Sequence, residues 1–182
     1  MDGGYDGEQV AAAIERALAR LTFVDLSADA VTALIIESVA AWAGEQGWRV
    51  YRRAPSVLPL PPPLSDRRSV LDVACARPDG PPVVVEVDHT DRRRTWEKLA
   101  AEAAAGRVAV WVRWGAGRFG TPPPPIHVVT CQVARRNGPG GRLHTRTPEG
   151  HRPPPAHSAH AAGDTTVVPL PSLDDGTPGV PR

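Results

Sequence analysis

Residues 69–89 read SVLDVACARPDGPPVVVEVDH, two short apolar runs either side of PDGPP. Pro presets φ, Asp bonds its own backbone, and Gly takes conformations that side chains resist, so this pentapeptide is turn chemistry. The runs therefore pair as antiparallel strands over 69–77 and 83–89. The next segment, RRRTWEKLAAEAAAG, sets Trp96, Leu99, Ala100 and Ala103 on one helical stripe, with Thr90 or Asp91 as a cap and Gly106 as a stop. RVAVWVRWG at 107–115 reads as a well-covered strand.

Upstream, Val10, Ile14, Ala17, Leu18 and Leu21 recur at spacings of three and four and predict a helix over 8–21. Ser27 precedes a second periodic run, in which Val31, Leu34, Ile35, Val39 and Trp42 share one face and Gly44 or Gly47 ends the helix. WRVYRRA (48–54) reads as a strand, SVLPLPPPLSDRR as a proline-rich loop, and IHVVTCQV (126–133) as a fifth strand. The pattern predicts an α/β fold with a four- to five-stranded mixed sheet flanked by helices. Three regions are expected: an N-terminal helical extension over 1–27, a core domain over 28–134, and a disordered Pro/Gly/His-rich tail over 135–182.

The net charge of +1 advertises no polyanion affinity for the whole chain, but thirteen cations face eight carboxylates between Trp48 and Arg118. Lys98 is the only lysine. Cys75 and Cys131 lack metal-ligand spacing and lie in apolar runs, where a small buried thiol is ordinary. No apolar run reaches the roughly 18 residues of a membrane span, and MDGGYDGEQV lacks a signal core, so a cytoplasmic protein without membrane partners is expected.

The chemistry concentrates in the hairpin. Strand alternation turns Glu86 and Asp88 to one face, and pairing brings Asp72 alongside them. Three carboxylates this close raise one another's pKa and ask for a cation; hard oxygen donors favour Mg²⁺, or Mn²⁺ in its place. The competing reading has the same acids solvating a strand end or pairing with Arg92, Arg93 and Arg94.

Asp72 in LDVAC, then Glu86 and Asp88 in VVVEVDH, within a helix–strand–strand–strand–helix–strand order over about residues 28–115, resembles the PD-(D/E)XK nuclease superfamily and its restriction-endonuclease-like fold. The resemblance implies that Asp72 and Glu86 bind Mg²⁺, with Asp88 a further ligand or the residue that positions a water, and that Glu37 on the preceding helix assists. The family's motif usually ends in Lys, where this chain has Asp88. Some members move that lysine to the following helix, which makes Lys98 a catalytic candidate, although the apolar stripe of that helix places Lys98 toward solvent. Arg92, one turn before Trp96, is the second candidate.

The activity implied is metal-assisted hydrolysis of a phosphodiester in nucleic acid, DNA before RNA. The alternative is a catalytically inactive nuclease-fold module that binds nucleic acid or protein. Alternation turns His89 away from Asp88, and His144, His151, His157 and His160 are expected to be solvated.

Overall fold

The structure, a computed structural model, describes residues 3–147, with side chains from Asp6 onward. Three helices and eight strands follow in the order α1 (Gly3–Ala19), β1 (Phe23–Leu26), α2 (Ala28–Glu45), β2 (Arg49–Pro59), β3 (Arg68–Ala76), β4 (Val83–Asp88), α3 (Arg93–Ala104), β5 (Val108–Gly115), β6 (His127–Gln132), β7 (Ala134–Gly138) and β8 (Gly141–Arg146). Five strands form a mixed sheet in the order β2-β3-β4-β5-β6, and β1-β8-β7 form a second sheet. The first three strands of the large sheet are antiparallel neighbours, whereas β4, β5 and β6 run parallel.

Local chemistry accounts for the main elements. Ser27 accepts a hydrogen bond from the Ala30 N–H at 3.2 Å and so caps α2, whose Val31, Ile35, Val39 and Ala43 are buried at four-residue intervals. Gly80 takes φ +94 in the turn between β3 and β4, where a side chain would be strained and would press on Arg77. α3 begins without a side-chain cap: Arg92 occupies the cap position, and neither Thr90 nor Asp91 serves.

One face of the sheet meets α1 and α2 across a core that includes Ile14, Leu18, Ile35, Val39, Val73, Val85 and Val112; the other meets α3 across Leu71, Val84, Leu99, Ala109, Trp111 and Ile126. The helix assigned to the 1–27 extension therefore shares the principal core. Val10, Ile14 and Leu18 are buried in it.

Two expectations are corrected. The loop read from SVLPLPPPLSDRR begins late, because β2 continues through Pro55, opposite Val70, to Pro59, opposite Arg68. β2 is an edge strand, where a missing N–H costs no interior ladder bond. Residues 135–146, expected in the tail, form most of the β7–β8 hairpin, and β8 supplies β1 with its partner through Phe23–Arg146 and Leu26–His144. The rest of the expected disordered tail, residues 148–182, lies outside the described residues. Among the described residues no helix is long and apolar enough to cross a membrane.

Ending the chain after Val133 should lower the melting temperature by about 5–10 °C, since β1 loses its partner strand β8 and Trp114 loses the His144 ring against it. Thermal melts followed by circular dichroism check this; an unchanged transition would return the hairpin to the tail.

Candidate active site

The β3–β4 ladder pairs Cys75 with Val83, Ala74 with Val84 and Val73 with Val85. Past Val85 carboxylates take over. The Asp72 N–H donates to Glu86 Oε1 at 3.3 Å, and the Val87 N–H donates to Asp72 Oδ2 at 2.9 Å. Buried backbone groups need partners, and here each acid holds an N–H from the opposite strand. Asp72 and Glu86 are thereby locked beside one another.

The next contacts come from α3. Lys98 Nζ donates to Glu86 Oε2 at 2.7 Å and to the Val70 carbonyl at 2.6 Å, while Thr95 Oγ1 donates to Asp88 Oδ2 at 2.8 Å. Glu86 and Asp88 thus face the same helix, as alternation requires. The solvent-facing position read for Lys98 is corrected: the residue is 8% exposed, and Ala100, assigned to the buried stripe, is exposed. The inner face of α3 is Thr95, Lys98, Leu99 and Glu102, a helical spacing whose members are mostly polar. Glu102, fully buried, accepts from Ser56 Oγ at 2.6 Å and the Val57 N–H at 2.7 Å, and pairs with Arg107. It ties α3 to β2.

Around these groups lies a pocket of about 510 Å³. Asp72, Glu86, Asp88, Arg92 and Lys98 line it together, joined by Ser69, Arg94 and, from α2, Asp29 and Thr32. Arg92 is exposed at the rim and donates to Thr90 Oγ1 at 3.2 Å. Glu37 is placed elsewhere. Its carboxylate accepts from Arg52 Nε at 2.8 Å and Nη2 at 2.6 Å on the exposed edge strand, and Ile36, one residue earlier, lines the pocket instead. A step of one residue turns a helical side chain by about 100°, enough to send Glu37 to β2 rather than to the acids.

His89 is exposed, stacks on Trp114 with ring centroids 4.9 Å apart, and also lines the pocket that holds the acids. His144 is not solvated: it is 7% exposed, edge-on to Trp114 at 5.0 Å. The missed pocket residues, Thr95, Ser69, Asp29 and Thr32, carry no distinctive motif; for Thr95 the spacing to Lys98 and Glu102 is the one signal the sequence offers.

Burial, and after it the charge of Asp72, pushes the Glu86 carboxyl up to about 7, with Lys98 opposing. Burial also raises Asp72, against the Val87 hydrogen bond. Among the described residues no group of three or more His, Cys, Asp and Glu side chains is placed to share a metal ion. The acids that adjoin are the pair Asp72 and Glu86, and Mg²⁺, which keeps several waters, asks for only one or two carboxylates. The two acids offer hard carboxylate oxygens, the donor type that ion takes.

No family model, no curated protein and no solved structure matches the chain.

A carboxyl whose folded pKa is raised contributes stability below its ordinary value, and that contribution is lost as pH rises through the raised one. For Glu86 the window runs from 4.5 to about 7 and the size is on the order of 3 kcal/mol. Asp6, Asp25 and Glu37 are held low by arginines, so their contributions change only at more acid pH. His144, held by burial below 6.5, acts in the opposite sense toward acid pH. Denaturant unfolding without metal should therefore show stability falling between pH 5 and pH 8 by more in the parent than in Glu86→Gln. Equal slopes in the two proteins would show that Glu86 titrates at its ordinary value.

Proposed function

We propose that this pocket is the active site of a Mg²⁺- or Mn²⁺-dependent nuclease that hydrolyses phosphodiester bonds, with DNA as the first substrate to test, on a fold of the restriction-endonuclease-like kind. The observation that carries the reading is the chain's single lysine: amid twenty arginines, Lys98 is buried at the end of the β3–β4 ladder with Nζ on Glu86, beside Asp72. A compact ammonium with three donors suits a site that must hold a water or a phosphate oxygen, whereas a guanidinium fork suits planar recognition. The α2–β2–β3–β4–α3–β5 order, with three antiparallel strands and a helical crossover to a parallel one, supports the same reading.

In this reading Asp72 and Glu86 hold the ion, which when bound lowers the pKa of a water and neutralises charge on the phosphate. Lys98 supplies the positive charge absent from the usual end of the motif and steadies the attacking water or the phosphate oxygens. Asp88, fixed through Oδ2 by Thr95, orients that water. Arg92 and Arg94 at the rim contact the substrate backbone. Glu37 has no part.

The second reading, a nuclease-fold module that binds without cleaving, draws on the same ion pair: Lys98 already gives Glu86 a counter-charge, so the acids can persist without a metal. Two measurements separate the readings. The parent should cleave single- or double-stranded oligonucleotides only with Mg²⁺ or Mn²⁺, with Glu86→Gln inactive and Lys98→Met slowed by about 10²–10³-fold. Millimolar Mg²⁺ should raise the parent's melting temperature by several degrees and leave Glu86→Gln unmoved. A parent with no metal-dependent cleavage and no thermal response to either ion overturns the nuclease and leaves the module.

A further inference from the structure

A second pocket, of about 450 Å³, adjoins the first through His89 and is lined by Asp91, Arg113, Arg118, Arg135, Arg142 and His144. It sits one strand over from the acids. Asp88 at the end of β4 is the register partner of Arg113 on β5, and neighbouring strands lie about 4.8 Å apart. Both pockets therefore open at the carboxyl ends of parallel strands, where α/β sheets commonly bind ligands.

The wall of this pocket is over-supplied with cations. Arg118, Arg135 and Arg142 make no ion pair among the described residues, and the single carboxylate of the lining, Asp91, is engaged by Arg113. Arg113 is 1% exposed, and its guanidinium lies 4.2 Å from the Trp111 ring centroid and 4.5 Å from that of Phe119. The two rings pre-set its plane. Two buried polar atoms of the lining residues, Arg113 Nε and His144 Nδ1, have no hydrogen-bond partner among the described residues. Buried polar atoms without partners are costly, and each calls for an explanation. Burial first, then the charges of His89, Arg135 and Arg142, holds the His144 imidazole below its ordinary value, in keeping with a local excess of positive charge.

We infer that this pocket binds phosphodiester of the nucleic-acid strand next to the phosphate held over Asp72 and Glu86, with Arg113 as the buried anchor and Arg118, Arg135 and Arg142 as the outer contacts. The inference rests on the nuclease reading for the identity of the anion. It also accounts for the cations of the β7–β8 hairpin, since Arg135 and Arg142 come from it, and with them the substrate path crosses from one sheet to the other. A protein supplying an acidic segment would satisfy the same charges, and the test includes it.

The experiment uses the full chain in EDTA, so that binding is measured without cleavage. Fluorescence anisotropy of a labelled single-stranded oligonucleotide is followed against salt for the parent, for Arg135→Ala/Arg142→Ala, and for Arg16→Ala/Arg20→Ala, which removes two exposed arginines at α1 and the turn after it. The hairpin variant should bind about tenfold or more weakly, with a log–log salt slope shallower by about 1.4, the value for two lost phosphate contacts on a single strand; the α1 variant should match the parent. Equal losses in both variants, an unchanged slope in the hairpin variant, no binding by the parent, or equally tight binding of a polyglutamate peptide of the same charge each overturn the subsite. Should the hairpin variant misfold by circular dichroism, Arg118→Ala, on the loop after β5, serves with an expected slope change of about 0.7. Because these readouts are taken without metal, failure of the subsite leaves Mg²⁺-dependent cleavage standing, and absence of cleavage with a positive binding result identifies the binding module.

Discussion

A buried backbone N–H that loses its place in a ladder must find another acceptor, and the candidate site is organised by that demand. Where the regular pairing of β3 with β4 stops at Val73–Val85, the Asp72 and Val87 N–H groups turn to the carboxylates of Glu86 and Asp72. Asp72 and Glu86 each take a backbone donor from the opposite strand, so their positions are tied to the sheet. Two carboxylates pinned in a region removed from water then require positive charge, which Lys98 supplies. The lysine in turn requires α3 to keep its rotation and height over the sheet.

That requirement explains the polar inner face of α3. Thr95, Lys98 and Glu102 each meet a partner on a different part of the sheet: Asp88 at the end of β4, Glu86 with Val70 across β4 and β3, and Ser56 with Val57 on β2. Such buried ion pairs add little net stability over apolar residues of similar volume, because desolvation offsets the attraction. Their value is discrimination. A helix packed only through Leu99 and Trp96 would tolerate rotation by part of a turn, whereas one carrying Lys98 and Glu102 leaves unmet charges in any other setting.

The regular parts of this design are legible in the sequence because they follow single rules. Four-residue spacing marks α2, the PDGPP turn marks the hairpin, and alternation places Glu86 with Asp88. Sequence misplaces Lys98 because it selects the face of α3 by its apolar residues, and that rule fails where polar residues have waiting partners. Glu37 is misassigned by one step around a helix, a distance that sequence does not resolve until the helix is docked. The β7–β8 hairpin is hidden for a different reason: ARRNG and GRLHTR lack strand-like apolar alternation, and their pairing depends on β1, more than a hundred residues away.

The edge strand β2 has a consequence for how copies of the chain meet. Sheets rich in valine invite neighbours to extend them, and an exposed outer strand is where extension starts. Along β2 such a neighbour would meet no N–H at Pro55 or Pro59 and, at Arg53, a backbone turned to φ +53 out of the extended path. The rim nearest the acid cluster is thus blunted against self-polymerisation.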